Sequence, residues 1–222
     1  MIKAIVFDLD GTLLDTLEDL SKSVNFALKT LQFPTISLNQ TRLYIGNGTS
    51  MLMKRAMPKD INEETYNVGF KLFSEHYNIH YNDCTHPYEN IDKLLVKLKD
   101  DGYKLGVLSN KLDDKAKLLI EKHLPNLFDA VQGTYLNLPK KPDPIITKML
   151  LKTLDVLPSE ALYIGDTEVD EECAKLGGMY FLLVGYGYRT AKELEVKCPN
   201  YRPVTKISDL YSKIKHESSL HN

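Results

Sequence analysis

The chain is poor in cysteine, in net charge and in long apolar runs. Its three cysteines, Cys84, Cys173 and Cys198, are scattered and share no CxxC spacing, so disulfides and zinc are not expected and buried or incidental thiols are. The 28 basic and 30 acidic residues leave a formal charge of -2, which gives no general attraction to nucleic acid or to an anionic membrane. Neither is expected as a partner. Apolar runs such as Tyr180 to Val184 are far short of a bilayer span, and the N-terminus leads directly into a strand without a charged leader. A soluble cytoplasmic protein, monomeric or homodimeric, is therefore expected. No repeat or low-complexity tract is present either. At 222 residues the chain can form one large domain, or one domain with a smaller insertion.

What is there is a pattern whose period changes. Ile2 to Phe7 is a mostly apolar run that reads as a strand buried on both faces. A helical stripe follows at Leu17, Leu20, Val24, Ala27, Leu28 and Leu31, stopped near Pro34. Further helical text lies at Met51, Leu52 and Ala56, and again at Tyr66, Phe70, Phe73 and Tyr77, whose tyrosine-rich face is expected to form core. Residues 15 to 83 contain no convincing strand. Beyond them a helix carrying Ile91, Leu94, Leu95 and Leu98 precedes the strand "YKLGVL" at 103 to 108, and Ala116, Leu119, Ile120 and His123 mark the next helix. A helix at about 144 to 154, the strand "ALYI" at 161 to 164, a helix at about 168 to 176 and the strand "YFLLV" at 180 to 184 complete the alternation. This predicts an α/β fold: a Rossmann-like parallel sheet core from residues 1–14 and 84–222, interrupted by an all-helical insertion at 15–83. The polar tail "KHESSLHN" is expected to fray.

The polar residues stand at the strand ends. Asp8 and Asp10 follow the first strand, in "FDLDGT"; Ser109 and Asn110 follow the second; Asp166 and Asp170, in "GDTEVD", follow "ALYI". Lys141, in "KKPDP", stands just before a helix. In an open parallel sheet, ligands bind outside the carboxyl ends of the strands, so these groups should converge on one crevice. An aspartate at the end of a buried strand is desolvated and close to a like charge, and it needs a cation, hydrogen bonds or a proton. Carboxylates without clustered His or Cys suit a hard cation, Mg²⁺ above all, which is commonly held by a few carboxylates, water and a phosphate.

Four stretches in this order, "DLDGT" at 8–12, "LSN" at 108–110, "KPDP" at 141–144 and "GDTEVD" at 165–170, resemble the motifs of the haloacid dehalogenase superfamily of phosphotransferases. The helical insertion falls where that superfamily places its four-helix cap. The cap segment "YIGNGTSMLMKRAM" at 44–57 and the later "VGYGY" at 184–188 are similar to the phosphoglycolate phosphatase branch. The resemblance implies that Asp8 is the nucleophile that forms an aspartyl phosphate, and that Asp10 protonates the leaving alcohol and then deprotonates water. It implies that Asp8, the backbone carbonyl of Asp10 and Asp166 ligate Mg²⁺, with Asp170 holding a metal-bound water. Gly11 permits the turn that brings the two carboxylates together, and Thr12 steadies them. Ser109 and the backbone amide of Asn110 would bind phosphoryl oxygens, and Lys141 would supply positive charge. From the cap, the Gly46–Gly48 turn would close over the phosphate, with Arg55 contacting the organic part of the substrate and Lys111 a lesser candidate for that role.

Plainer roles compete for some of these residues. Ser109 could cap the helix beginning near Asp113. Lys140 stands beside Lys141 as an equivalent ammonium, and Asp166 or Asp170 could simply favour a helix N-terminus. The function expected is Mg²⁺-dependent hydrolysis of a small phosphomonoester, phosphoglycolate-like. Alternatives are a pyrophosphatase or a β-phosphoglucomutase-like sugar phosphomutase of the same superfamily, or a non-enzymatic regulator binding a phosphorylated ligand. Dehalogenase chemistry dispenses with the second aspartate, and Asp10 is present.

Overall fold

The structure is a computed structural model that describes residues 1–135 and 139–221. The chain divides into two compact units, Met1–Leu14 with the chain from Pro87 onward, and Asp15–His86.

The first unit is built on β1 (Ala4–Phe7), every residue of which is buried. The chain then passes through the short β2 (Leu14–Asp15) into the helical unit, made of α1 (Leu17–Thr30), α2 (Leu38–Tyr44), α3 (Thr49–Ala56) and α4 (Glu63–His80). Leu20, Val24, Ala27 and Leu28 of α1 pack with Leu52, Met53, Phe73 and Tyr77 into one core, with Tyr66, Phe70 and Tyr81 packed against it. The aromatic face of α4 is thus core, as its spacing predicts. A buried aspartate closes this unit. Asp19 accepts the backbone N–H groups of Cys84 (2.9 and 3.0 Å) and Thr85 (2.8 Å) and the Thr85 hydroxyl (2.8 Å). This ties Cys84 and Thr85 to α1 within the helical unit, which extends to His86.

After β3 (His86–Pro87), which pairs with β2, come α5 (Ile91–Asp100), β4 (Lys104–Leu112), α6 (Asp113–His123), β5 (Ala130–Thr134), α7 (Pro144–Leu154), β6 (Ala161–Gly165), α8 (Glu168–Gly177), β7 (Tyr180–Leu183), α9 (Ala191–Lys197) and α10 (Ile207–Leu220). The main sheet has the order β5-β4-β1-β6-β7, and its pairings are parallel. β1 is flanked by β4, with Phe7 opposite Val107, and by β6, with Phe7 opposite Ile164, so the ends of three strands lie side by side. A crossover helix is what a parallel pair requires, and α7 and α8 bury Ile146, Leu150, Leu151, Cys173 and Ala174 against Ala4, Val6 and Tyr163.

The structure adds α2, α9 and the short strands β2 and β3 to the sequence reading, and it departs from that reading elsewhere too. β5 is an additional strand. β4 continues past Leu108 to Leu112 with a register break between those residues, so Ser109 and Asn110 lie in its irregular end rather than beyond it. The tail is helical as far as Leu220 instead of frayed, because Leu210 and Ile214 are buried and Ser218 accepts a 2.9 Å hydrogen bond from Tyr103. Cys84, Cys173 and Cys198 are free thiols. Among the described residues no helix is long and apolar enough to cross a membrane.

Candidate active site

The site grows from the turn after β1. The Asp8 N–H still donates to the Ile164 carbonyl of β6 (2.9 Å), which fixes Asp8 at the strand end. The chain then folds back within six residues: the N–H groups of Leu13 and Leu14 both donate to the Leu9 carbonyl (3.0 Å each). Gly11, at φ +90°, makes the reversal, and a Cβ there would come 2.6 Å from Asp166 Oδ2. Glycine is thus needed twice over, for the left-handed backbone and for the approach of the Asp166 carboxylate.

Asp8, Asp166 and Asp170 each offer a carboxylate oxygen within 4.8 Å of the others, and all three are buried. The Lys141 ammonium sits among them, 2.7 Å from Asp8 Oδ1 and 2.7 Å from Asp170 Oδ1, and it donates to the Tyr163 hydroxyl at 2.9 Å. Lys140, its neighbour in sequence, is exposed, so the two lysines of "KKPDP" are not interchangeable. The backbone of Lys141 is held in turn by the side chain of Asn110, whose Oδ1 accepts the Lys141 N–H (2.7 Å) and whose Nδ2 donates to the Lys141 carbonyl (3.3 Å). Ser109 is buried, and its hydroxyl accepts the Lys111 N–H (3.2 Å). The plainer role for Ser109 fails, because the residue before α6 is Leu112 and no side chain caps that helix.

Asp170 and Asp166 are used differently. Asp170 Oδ2 accepts the N–H (3.0 Å) and hydroxyl (2.7 Å) of Thr167 in a capping box, while Oδ1 receives Lys141 and Tyr163. Four donors meet the roughly four lone-pair directions of a carboxylate. Asp166 stands outside that capping box: it accepts the Thr12 hydroxyl (3.3 Å) and the Tyr188 N–H (2.8 Å). The loop "VGYGY" is packed over this turn, for Tyr186 donates to the Thr12 carbonyl (3.1 Å) and a Cβ on Gly187 would collide with the Gly11 carbonyl oxygen. Asp10 does not belong to the three-carboxylate group; its carboxylate pairs with Lys111 at 2.9 Å.

The electrostatics follow from this crowding. Burial pushes the Asp8 carboxyl up to about 7, against the downward pull of Lys141 and with Asp170 adding to the rise. Burial, then Asp170 and Asp8, hold Asp166 well above the usual carboxylate range. Burial alone would lower the Lys141 ammonium, but Asp170 and Asp8 outweigh it and raise it. One ammonium does not balance three buried carboxylates, and an all-oxygen donor set with surplus negative charge fits a hard divalent cation.

Two expected residues, Gly46 and Arg55, belong to the helical unit. Arg55 donates to the Tyr44 carbonyl (2.7 Å) and to Asn47 Oδ1 (2.7 Å), so its guanidinium braces the turn that contains Gly46, at φ +125°. Lys111, the lesser candidate, turns out to be the partner of Asp10. Tyr163, Tyr186, Tyr188 and Thr167 are not among the residues that the sequence marks one by one; "VGYGY" contains two of them and "GDTEVD" contains Thr167, whereas Tyr163 stands in a strand that reads as core.

The profile of haloacid dehalogenase-like hydrolases matches residues 5–184. The chain belongs to that family. It is 31% identical over 206 residues to a phosphoglycolate phosphatase of Aliivibrio fischeri, covering 90% of this chain and 91% of the relative. With a phosphoglycolate phosphatase of Aquifex aeolicus the identity is 35% over 191 residues, 84% of this chain and 86% of the relative. The fold matches the crystal structure of a candidate phosphoglycolate phosphatase from Lactobacillus delbrueckii subsp. bulgaricus with a TM-score of 0.88, at 26% identity, over 96% of this chain and 98% of that one. Within its family the chain is a phosphoric monoester hydrolase of the phosphoglycolate phosphatase-like kind.

Proposed function

We propose that the protein is a Mg²⁺-dependent phosphatase that hydrolyses a small phosphomonoester, phosphoglycolate or a close analogue, through an aspartyl phosphate on Asp8. The observation that carries this is the buried group of Asp8, Asp166 and Asp170 around the Lys141 ammonium, with Asp8 held at 2.7 Å. Asp8 Oδ attacks phosphorus, a phosphorus–oxygen bond forms and the bond to the ester oxygen breaks. Asp10 gives that oxygen its proton. Asp10 then takes a proton from water as the water oxygen attacks phosphorus, releasing phosphate and regenerating the Asp8 carboxylate.

Asp8, the backbone carbonyl of Asp10 and Asp166 are the residues assigned to hold Mg²⁺. Asp170, whose oxygens already receive four donors, orients Lys141. When bound, the cation supplies the positive charge that the cluster lacks and that a phosphate dianion needs in order to approach a carboxylate. Lys141 adds charge at Asp8, and the Ser109 hydroxyl and the backbone N–H of Asn110 stabilise the phosphoryl oxygens. The helical unit is assigned the role of a cap that selects the substrate. Within it Arg55, which uses two of a guanidinium's five donors on Tyr44 and Asn47, is assigned to a substrate carboxylate.

The deciding experiment is a panel of small phosphate esters, pyrophosphate and hexose phosphates, each with Mg²⁺ and with chelator. Mg²⁺-dependent release of phosphate, fastest from a small carboxylated ester, is expected. Preference for pyrophosphate or a hexose phosphate would move the protein to the pyrophosphatase or mutase alternative.

A further inference from the structure

Tyr163 lies in the middle of β6, within an apolar strand, and is 0% exposed. Its ring stacks on Phe181, with centroids 6.4 Å apart, as a core side chain's would. Its hydroxyl does something a core ring does not require. A lysine ammonium has three protons, and that of Lys141 meets three acceptors: Asp8 Oδ1 (2.7 Å), Asp170 Oδ1 (2.7 Å) and Tyr163 Oη (2.9 Å). The phenol's own proton faces the Leu108 carbonyl and Asp170 Oδ1, each at 3.1 Å. Leu108 is the last residue before β4 loses its register with β5, and Ser109 comes next. One hydroxyl therefore touches three of the four stretches that build the site. Burial and the neighbouring carboxylates hold the phenol well above its usual range, so it remains a neutral donor and acceptor.

We propose that the Tyr163 hydroxyl is a positioning group: it fixes the Lys141 ammonium toward Asp8 and anchors the Leu108 carbonyl from which Ser109 and Asn110 are presented. This rests on the proposed covalent role of Asp8. Without the hydroxyl, one ammonium proton loses its acceptor and the group can rotate away from the nucleophile. A misplacement of that kind weakens transition-state stabilisation more than substrate binding.

The test is Tyr163→Phe in the full chain, which keeps the ring and its packing. With Mg²⁺ and an aryl phosphate, kcat is expected to fall about 10-fold while KM stays within about twofold. In a Lys141→Met background, removing the hydroxyl should change kcat by less than about twofold, because the two groups act as a unit. Phe181→Leu, which disturbs only the ring's packing, should lower Tm and leave kcat unchanged. An unchanged kcat in Tyr163→Phe, or an equal loss in both backgrounds, would overturn the proposal. A readout independent of turnover is the ¹⁵Nζ–H signal of Lys141, expected to exchange slowly in the wild type and to broaden in Tyr163→Phe. A signal that stays sharp in the variant overturns the positioning role whatever the activity. Retained turnover in Asp8→Asn would instead fault the covalent reading and leave the ammonium signal as the judge of Tyr163.

Discussion

Asp8 and Asp19 are both buried aspartates, 7% and 1% exposed, and they are kept in opposite ways. Asp19, in the helical unit, is answered by neutral donors: two backbone N–H groups and a hydroxyl, all from Cys84 and Thr85. Asp8, at the sheet, has Asp166 and Asp170 for neighbours and one ammonium among the three. The first arrangement is complete without any ion and ties a chain crossing to a helix. The second is held at a cost in electrostatic energy, which is the condition of a group kept for chemistry. Burial of a carboxylate does not by itself separate structure from function; the sign of what surrounds it does.

The sharpest way to break this contrast is to neutralise each aspartate in turn. Asp8→Asn should cut kcat more than about 1000-fold, because an amide cannot form the acyl phosphate. Its metal-free Tm should not fall, since the change removes one of three crowded charges. Asp19→Asn should do the reverse. It places an amide NH₂ against backbone N–H donors and should cost about 2–4 kcal/mol in denaturant unfolding, while kcat per folded molecule is retained. Parallel losses of stability in the two variants would erase the distinction.

The next effect is in pH. The folded-state carboxyl of Asp8 lies near 7, above its ordinary 3.8, so between those values the folded protein binds more protons than the unfolded one. Metal-free stability should therefore fall as pH rises through that window. A divalent cation displaces the proton, so Mg²⁺ should flatten the slope and raise Tm most at the alkaline end. Tm measured from pH 4.5 to 8 with chelator and with Mg²⁺ checks this, and identical slopes in the two series would contradict a cation site at these carboxylates.

The two aspartates also differ in how visible they were. The strand that carries Asp8 is an apolar run interrupted by two acids and a glycine, a combination with no structural use, so sequence marks it. Asp19 stands in the first turn of α1 beside Glu18, where any acidic residue favours the helix, and nothing marks it as a clasp. The same contrast runs through the fold. β1 and β6 were legible because they are fully buried, whereas β5, "AVQGT", is a half-buried edge carrying Gln132 and Gly133 without period or run. α9 buries only Leu194 and leaves no stripe to read. Tyr163 was hidden because a tyrosine in an apolar strand passes for core, and only the approach of Lys141 from another loop shows what its hydroxyl touches.

The smallest expected effect lies in the helical unit. Arg55→Ala removes an exposed side chain that braces Tyr44 and Asn47. It should raise KM for phosphoglycolate about 10-fold, as the loss of a charge-assisted contact would, and leave an aryl phosphate nearly unaffected. Equal losses on both substrates would assign Arg55 to bracing the 44–48 turn alone.

The covalent role of Asp8 is tested most directly by trapping. With a labelled phosphate ester that has a good leaving group, Asp10→Asn enzyme should accumulate acid-stable label, because it can still form the aspartyl phosphate but hydrolyses it slowly. Asp8→Asn under the same conditions should carry none, and peptide mapping should place the label of the first variant on Asp8. Label on Asp8→Asn, or label mapped to another residue in Asp10→Asn, would contradict nucleophilic catalysis by Asp8.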